Sequence, residues 1–276
     1  MRKTCAGPAF RESNLKYETI LLSQEGTLAT LQFNRPQQYN AIDDRMAAEL
    51  LDAVVHVQNN PEVRALMVTG AGDAFHSGGD IKAFVKAGEA LPDLLERMLV
   101  PLHGFISHLV RMPKPVVAAV NGPAAGAGFS LAMACDIVVA RADAVFTVGY
   151  TKIGASPDGG STFFMTRLLG LRRALELTLT NRVLTAQEAM EWGLVNRVFP
   201  VETFQEEARA FAQELARGPT AAFGESKNLL YHSQNHELET QMELEAKGII
   251  ASSRTEDFKE GIKAFVEKRK AEFKGK

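Results

Sequence analysis

Polar and apolar residues alternate in two runs, 15–22 and 27–33, on either side of Gly26. A period of two marks half-buried strands, so the pair predicts a β-hairpin. Asn34-Arg35-Pro36 breaks the alternation, and over 43–59 apolar positions recur at helical spacing, stopping before Pro61. The run Ala65-Leu66-Met67-Val68-Thr69 reads as a buried strand that leads into GAGDAFHSGGD and a short helix. That order then recurs. After a longer helix over about 93–111, residues 115–120 lead into NGPAAGAG and a helix from about Phe129. Residues 137–140 and 145–147 lead into GASPDGG and another helix. Strands alternating with helices predict an α/β architecture, here as recurrent β–β–α turns of a spiral. From about Val201 the strands stop, and 202–217, 220–231, 238–252 and 256–270 predict four amphipathic helices. These lack a glycine-rich ligand loop; the pattern fits an oligomerisation layer and a simple cap on the core equally well. The chain therefore divides into a leader (1–14, expected to be flexible), a core (15–200) and a helical C-terminal region (201–276).

Composition narrows the classes. Of 276 residues, 46% are hydrophobic and 23% charged, ordinary for a globular chain with a large core. A balance of 31 basic and 33 acidic residues gives no strong field for nucleic acid or an anionic membrane. No apolar run approaches the ~20 residues needed to span a bilayer. The leader carries acidic Glu12 and too short an apolar stretch for a signal peptide. Two cysteines, Cys5 and Cys135, fit a reducing, cytoplasmic compartment rather than a disulfide framework. His232 and His236 have helical i, i+4 spacing, but no third ligand accompanies them, so no metal site is expected.

The candidate chemistry sits at strand–helix joins. Ser77-Gly78-Gly79-Asp80 and Gly126-Ala127-Gly128 put glycine backbone before a helix, where free N–H groups can face a ligand. Two such loops converging on one oxygen would stabilise an enolate or a tetrahedral adduct. Neither fits a dinucleotide or P-loop fingerprint. Ser156-Pro157-Asp158 reads as a helix start, with serine at the cap, proline at the first position and aspartate complementing the dipole. Asp158 is equally a lone carboxylate available as an acid–base group.

The segments NRPQQYNAI, GAGDAFHSGGDIKAF, KPVVAAVNGPAAGAGFSLAMACDIVVA, LTAQEAMEWGLVNRVF and EGIKAFVEKRKAEFKGK together resemble the crotonase (enoyl-CoA hydratase/isomerase) superfamily, in family order over nearly the whole chain. The resemblance implies a crotonase-like spiral of β–β–α units with a C-terminal helical trimerisation region. It also implies an acyl-CoA thioester as substrate, with no separate cofactor. The family's two oxyanion-hole N–H groups fall on Gly79 and Ala127, the second replacing a usual glycine. CoA contacts fall on Gln38, Tyr39, Ala41, Ser77, Gly78, Ile81 and Lys82, with Asp80, Gly126, Tyr150 and Pro157 along the thioester. Phe265 and Lys268 match positions that reach CoA from a neighbouring subunit of a homotrimer or a dimer of trimers. The two glutamates of a family hydratase are replaced by Ser130 and Tyr150, neither a carboxylate. Asp158 matches the catalytic aspartate of the single-aspartate isomerase branch. A Δ3/Δ2-enoyl-CoA isomerase is therefore expected, with Asp158 moving the proton. Other CoA-thioester chemistry on the same site (ring isomerase, hydrolase, dehalogenase, weak hydratase) remains open, as does a non-catalytic acyl-CoA- or RNA-binding relative. A dehalogenase of this family also uses a histidine base, and His76 is the one candidate near the site; a polar turn residue is its plainer reading.

Overall fold

The computed structural model describes residues 16–276 and the short strand β1 (Arg11–Glu12). The rest of the expected leader lies outside the described residues. The hairpin forms from β2 (Ile20–Glu25) and β3 (Leu28–Phe33), paired antiparallel about Gly26, whose φ is +58°. Its first strand begins later than the alternation predicts. The N–H groups of Glu18 and Thr19 donate to the Glu49 carboxylate at 3.0 and 2.9 Å, which holds that stretch outside the ladder.

Glu49 belongs to α1 (Asp44–Asn59), capped by the Asp43 side chain on Met46 N. Then follow β4 (Ala65–Gly70), α2 (Ile81–Ala87), α3 (Leu91–Arg111), β5 (Val116–Val120), β6 (Ala124–Ala125), α4 (Ala127–Ala134), β7 (Ile137–Arg141) and β8 (Val145–Thr147). After these come α5 (Ser161–Leu169), α6 (Leu171–Thr180), β9 (Leu184–Thr185), α7 (Ala186–Glu191) and β10 (Arg197–Phe199). One sheet runs β1-β2-β3-β4-β5-β7-β10, parallel from β3 onward, and a small one runs β6-β8-β9.

Every residue of β4 and β5 is buried, as central parallel strands covered on both faces require. The period of two divides their side chains. Leu66 and Val68 join the core shared with α1, α3 and α4, while Ala65 and Met67 face α8 (Phe204–Ala216). Phe204, Ala208, Ala212 and Ala216, four apart on α8, let that helix lie close on the sheet. α8 is thus a cap on the core. Beyond it, α9 (Thr220–Ser233), α10 (Leu238–Ser252) and α11 (Glu256–Val266) complete the helical region.

The last helix ends at Val266, four residues short of the pattern. Lys268 turns left-handed (φ +55°), and the chain folds back. The N–H groups of Lys274 and Gly275 donate to the buried Asp257 carboxylate at 2.6 and 2.7 Å, and Arg64 Nη1 donates to Phe273 O at 3.0 Å. Arg269 pairs with Glu260 and Glu267. The basic tail is thereby tied to acidic partners. Among the described residues, no helix is long and apolar enough to cross a membrane.

Candidate active site

Two glycine loops leave the ends of β4 and β5 and touch. A Cβ on Gly78 (φ +98°) would stand 3.2 Å from Ala125 O and 3.5 Å from Ala127 N. One on Gly126 (φ +54°) would stand 3.3 Å from Gly78 Cα. Only glycine combines these backbone angles with that approach. Ala127 is the first residue of α4, where an N–H has no acceptor within the helix. Its φ is not positive, so alanine carries that N–H without strain. In the other loop, Ile42 N donates to Gly78 O (2.8 Å) and Asp80 N to Ile42 O (2.9 Å), and among the described residues nothing accepts the Gly79 N–H. Two free donors therefore lie on adjoining loops.

Side chains that sequence reasoning missed brace these loops. Asn40, left-handed at φ +59°, donates to Ala71 O, Ala74 O and Phe75 O. Asn121 accepts from Gly70 N at 3.0 Å and donates to Gly72 O at 2.9 Å. Asn121 is a lone amide directly after the apolar run 116–120, the one signal that could have found it; Asn40, close behind Gln37 and Gln38, carries no such signal. Arg35 bonds Asp80 at 2.8 Å and Asp43 at 3.1 Å. Asp80 also caps α2 through Lys82 N and Ala83 N, so its carboxylate is engaged within the fold. These bonds and the Arg35 charge outweigh its burial and hold its pKa below the usual carboxylate value.

Of the expected CoA contacts, Gln38, Tyr39 and Ala41 lie beside the first loop: Ser77 N donates to Tyr39 O (3.1 Å) and Ser77 Oγ is 3.4 Å from Gln38 O. Tyr39, Ile81 and Lys82 are exposed at its mouth. Phe265 lines an apolar pocket of about 430 Å³ with Phe258, Ile262 and Phe273. Among the described residues, no hydrogen bond joins it or Lys268 to the glycine loops within one chain.

Asp158 is not in a helix start. Gly159 (φ +58°) and Gly160 (φ +74°) are both left-handed, so α5 begins only at Ser161, whose N–H donates to Asp158 O at 3.1 Å. The carboxylate meets Tyr150 instead. Tyr150 opens a short 3-10 turn (Tyr150–Ile153), and its Oη donates to Asp158 Oδ1. Ser130 Oγ lies 3.3 Å from Tyr150 Oη, 3.2 Å from Asp158 O and 3.3 Å from Gly126 O. Ser130 stands one turn along α4 from Ala127, so it links Asp158 to the second glycine loop. Burial, then the Asp158 charge and hydrogen bond, push the Tyr150 phenol well above its ordinary value. It stays a donor. No second carboxylate joins this cluster among the described residues.

His76 is wholly buried, not a polar turn residue. Its Nδ1 accepts the Gly78 N–H at 3.0 Å, its Nε2 has no partner among the described residues, and burial, with the Arg35 charge second, lowers its pKa to about 3. Among the described residues, no cluster of histidine, cysteine, aspartate and glutamate is placed to hold a metal ion.

A profile of the Enoyl-CoA hydratase/isomerase family matches residues 23–276. The chain is similar to a 1,2-epoxyphenylacetyl-CoA isomerase of Escherichia coli strain K12, with 38% identity over 94% of this chain and 99% of that one. It is also similar to a 4-chlorobenzoyl coenzyme A dehalogenase of an Arthrobacter species, with 37% identity over 87% of this chain and 88% of that one. A crystal structure of an enoyl-CoA hydratase from Polaromonas sp. JS666 superposes with a TM-score of 0.88 at 34% identity, covering 92% and 99% of the two chains. With the spiral of strands and helices and the touching glycine loops, these likenesses establish that the chain belongs to the enoyl-CoA hydratase/isomerase family of the crotonase superfamily, as a CoA-thioester enzyme.

Proposed function

We propose that the protein is an acyl-CoA double-bond isomerase of the Δ3/Δ2-enoyl type. The observation that carries this is that, among the described residues, Asp158 is the one carboxylate in the Tyr150–Ser130 cluster, with Tyr150 on its Oδ1 and Ser130 on its backbone oxygen, these two standing where a family hydratase has glutamates. With the thioester oxygen between the N–H groups of Gly79 and Ala127, proton loss gives a stabilised dienolate. Asp158 takes the proton from one carbon and returns it to another, and the C=C bond moves without water. One base suffices for this, whereas hydration needs a second group to activate water.

The E. coli relative's name, also that of a CoA-thioester isomerase, supports the reaction class. Against the dehalogenase reading, His76, the histidine expected near the site, is buried with Nδ1 engaged by the Gly78 N–H. We further propose a homotrimer or dimer of trimers in which Phe265 and Lys268 reach a neighbour's CoA.

The test is Asp158→Asn against a panel of 3-enoyl-, 2-enoyl-, dienoyl- and epoxyphenylacetyl-CoA. Isomerisation should fall by roughly 10²–10⁴-fold with acyl-CoA affinity nearly unchanged. An active variant would remove Asp158 from the chemistry.

A further inference from the structure

His76 is engaged with both glycine loops at once. Its imidazole Nδ1 accepts the Gly78 N–H at 3.0 Å, and its backbone oxygen accepts the Ala125 N–H at 3.0 Å. The second loop also packs onto it, since a Cβ at Gly128 would fall 2.0 Å from His76 O. The ring is sealed in, edge-on to Phe33 with centroids 4.9 Å apart. Accepting at Nδ1 requires the tautomer with hydrogen on Nε2, and that N–H is buried without an acceptor among the described residues. An apolar side chain would avoid this desolvation cost. What the imidazole supplies that leucine cannot is the acceptor.

Gly78 is the joint at which the first loop can fail. With no Cβ, its backbone has several accessible conformations. A peptide is planar and trans, so the Gly78 C=O and the Gly79 N–H point in opposite directions. While Gly78 O accepts from Ile42 N at 2.8 Å, the Gly79 N–H is turned away from Ile42. Rotating that peptide would exchange the N–H for a carbonyl and present repulsion, not stabilisation, to a developing oxyanion. The hydrogen bond to His76 fixes the other end of Gly78.

We propose that His76 is a positioning residue for the oxyanion hole: by accepting the Gly78 N–H, it fixes the Ser77–Gly78 peptide and, with Ile42 N on Gly78 O, removes the freedom through which the Gly78–Gly79 peptide could turn its N–H away from the thioester oxygen. The proposal rests on the reading of Gly79 and Ala127 as that hole, and not on the isomerase assignment. Burial keeps the imidazole neutral, which preserves the acceptor.

The experiment uses butyryl-CoA carrying ¹³C at the thioester carbonyl, a probe with no double bond to move. Isotope-edited infrared spectra are recorded on the full-length wild type, His76→Leu and His76→Asn. Asparagine offers an acceptor oxygen near the place of Nδ1; leucine offers none. The carbonyl stretch should move to lower frequency on binding wild type and His76→Asn, and largely lose that shift in His76→Leu. Turnover of the best substrate in the panel should fall by about 10²-fold in His76→Leu, with Kd for butyryl-CoA nearly constant. A wild-type shift that His76→Leu keeps overturns the role of His76 alone. No shift in the wild type overturns the oxyanion-hole reading and this inference with it. Should His76→Leu fail to fold, His76→Asn decides: loss of the shift in a folded His76→Asn overturns the proposal, and retention supports it.

Discussion

Tyr150 gives its phenolic hydrogen to the carboxylate of Asp158, eight residues further along the chain. Gly149, left-handed at φ +72°, turns the chain into the 3-10 segment that carries Tyr150, and the two left-handed glycines after Asp158 keep it out of α5. With Oδ1 engaged by the phenol, Oδ2 is the oxygen that the proposed isomerisation would use to take the substrate proton. Ser130, on α4, touches both partners and fixes their distance from the second glycine loop.

Removing the phenol tests that relationship. Hydrogen bonds to charged groups contribute about 1.5–3 kcal/mol, and ~1.4 kcal/mol corresponds to a factor of ten in rate. Tyr150→Phe should lower kcat by about 10- to 100-fold while KM stays within about 2-fold, because the ring stays in place and the proposed CoA contacts on the first loop and the two donors do not involve the phenol oxygen. Steady-state kinetics with melting temperatures on both proteins check this. A fall in melting temperature with kcat intact would make Tyr150 a packing residue only.

Hydration should be poor. Ser130 and Tyr150 cannot act as a carboxylate pair, and the Tyr150 phenol is held protonated by burial and by Asp158. Crotonyl-CoA hydration, followed by loss of the enoyl absorbance, should therefore run far below that of a dedicated hydratase. A kcat at or above ~10³ s⁻¹, the upper part of the usual enzyme range, would show that a second water-activating group exists.

Much of this site is written locally. The strand–glycine–helix joins at 77–80 and 126–128 follow from apolar runs ending in glycine, and the fold confirms the order of elements. The start of β2 was not legible, because Glu49 takes the N–H groups of residues 18 and 19 from 30 residues away. Ser156-Pro157-Asp158 carries every local mark of a helix start, yet Gly159 and Gly160 override it by adopting positive φ. His76 reads as a polar turn residue because its burial depends on Phe33 and α4, distant in sequence. The end of α11 was hidden for the same reason: Asp257 collects the tail through backbone groups that have no signature.

Acid should weaken the fold through His76. Its native pKa is about 3 against an ordinary 6.5, lowered first by burial and then by the Arg35 charge. Between those values the unfolded chain binds a proton that the native chain refuses. The contribution is therefore complete above pH 6.5 and is lost as pH falls toward 3, at up to about 1.4 kcal/mol per pH unit. Urea denaturation at pH 7.5, 5.5 and 4.5 should show this slope in the wild type and a shallower one in His76→Asn, with carboxylate effects common to both. Equal slopes would mean that His76 gains water and titrates normally.

Phe265 and Val266, at the end of α11, are 86% and 74% exposed, with Ile262 one turn earlier and Ile249 and Ile250 exposed on α10. Scattered exposed apolar residues are common, but Ile262 and Phe265 also line an apolar pocket with Phe258 and Phe273, and such a surface gains by being covered. If a second copy covers it, the sedimentation mass should be three or six times that of one chain. Phe265→Asp would then place a carboxylate in an apolar contact, and the mass should fall toward that of one chain. Where Phe265 and Lys268 also complete a neighbour's site, the same change should raise the Kd for butyryl-CoA by about 10-fold, roughly 1.4 kcal/mol. Titrating butyryl-CoA into wild type and Phe265→Asp during the same sedimentation series separates the two statements. A wild type that sediments as one chain with full CoA affinity would refute the trimer. An assembled wild type whose affinity survives dissociation would leave the assembly standing and remove Phe265 from the site.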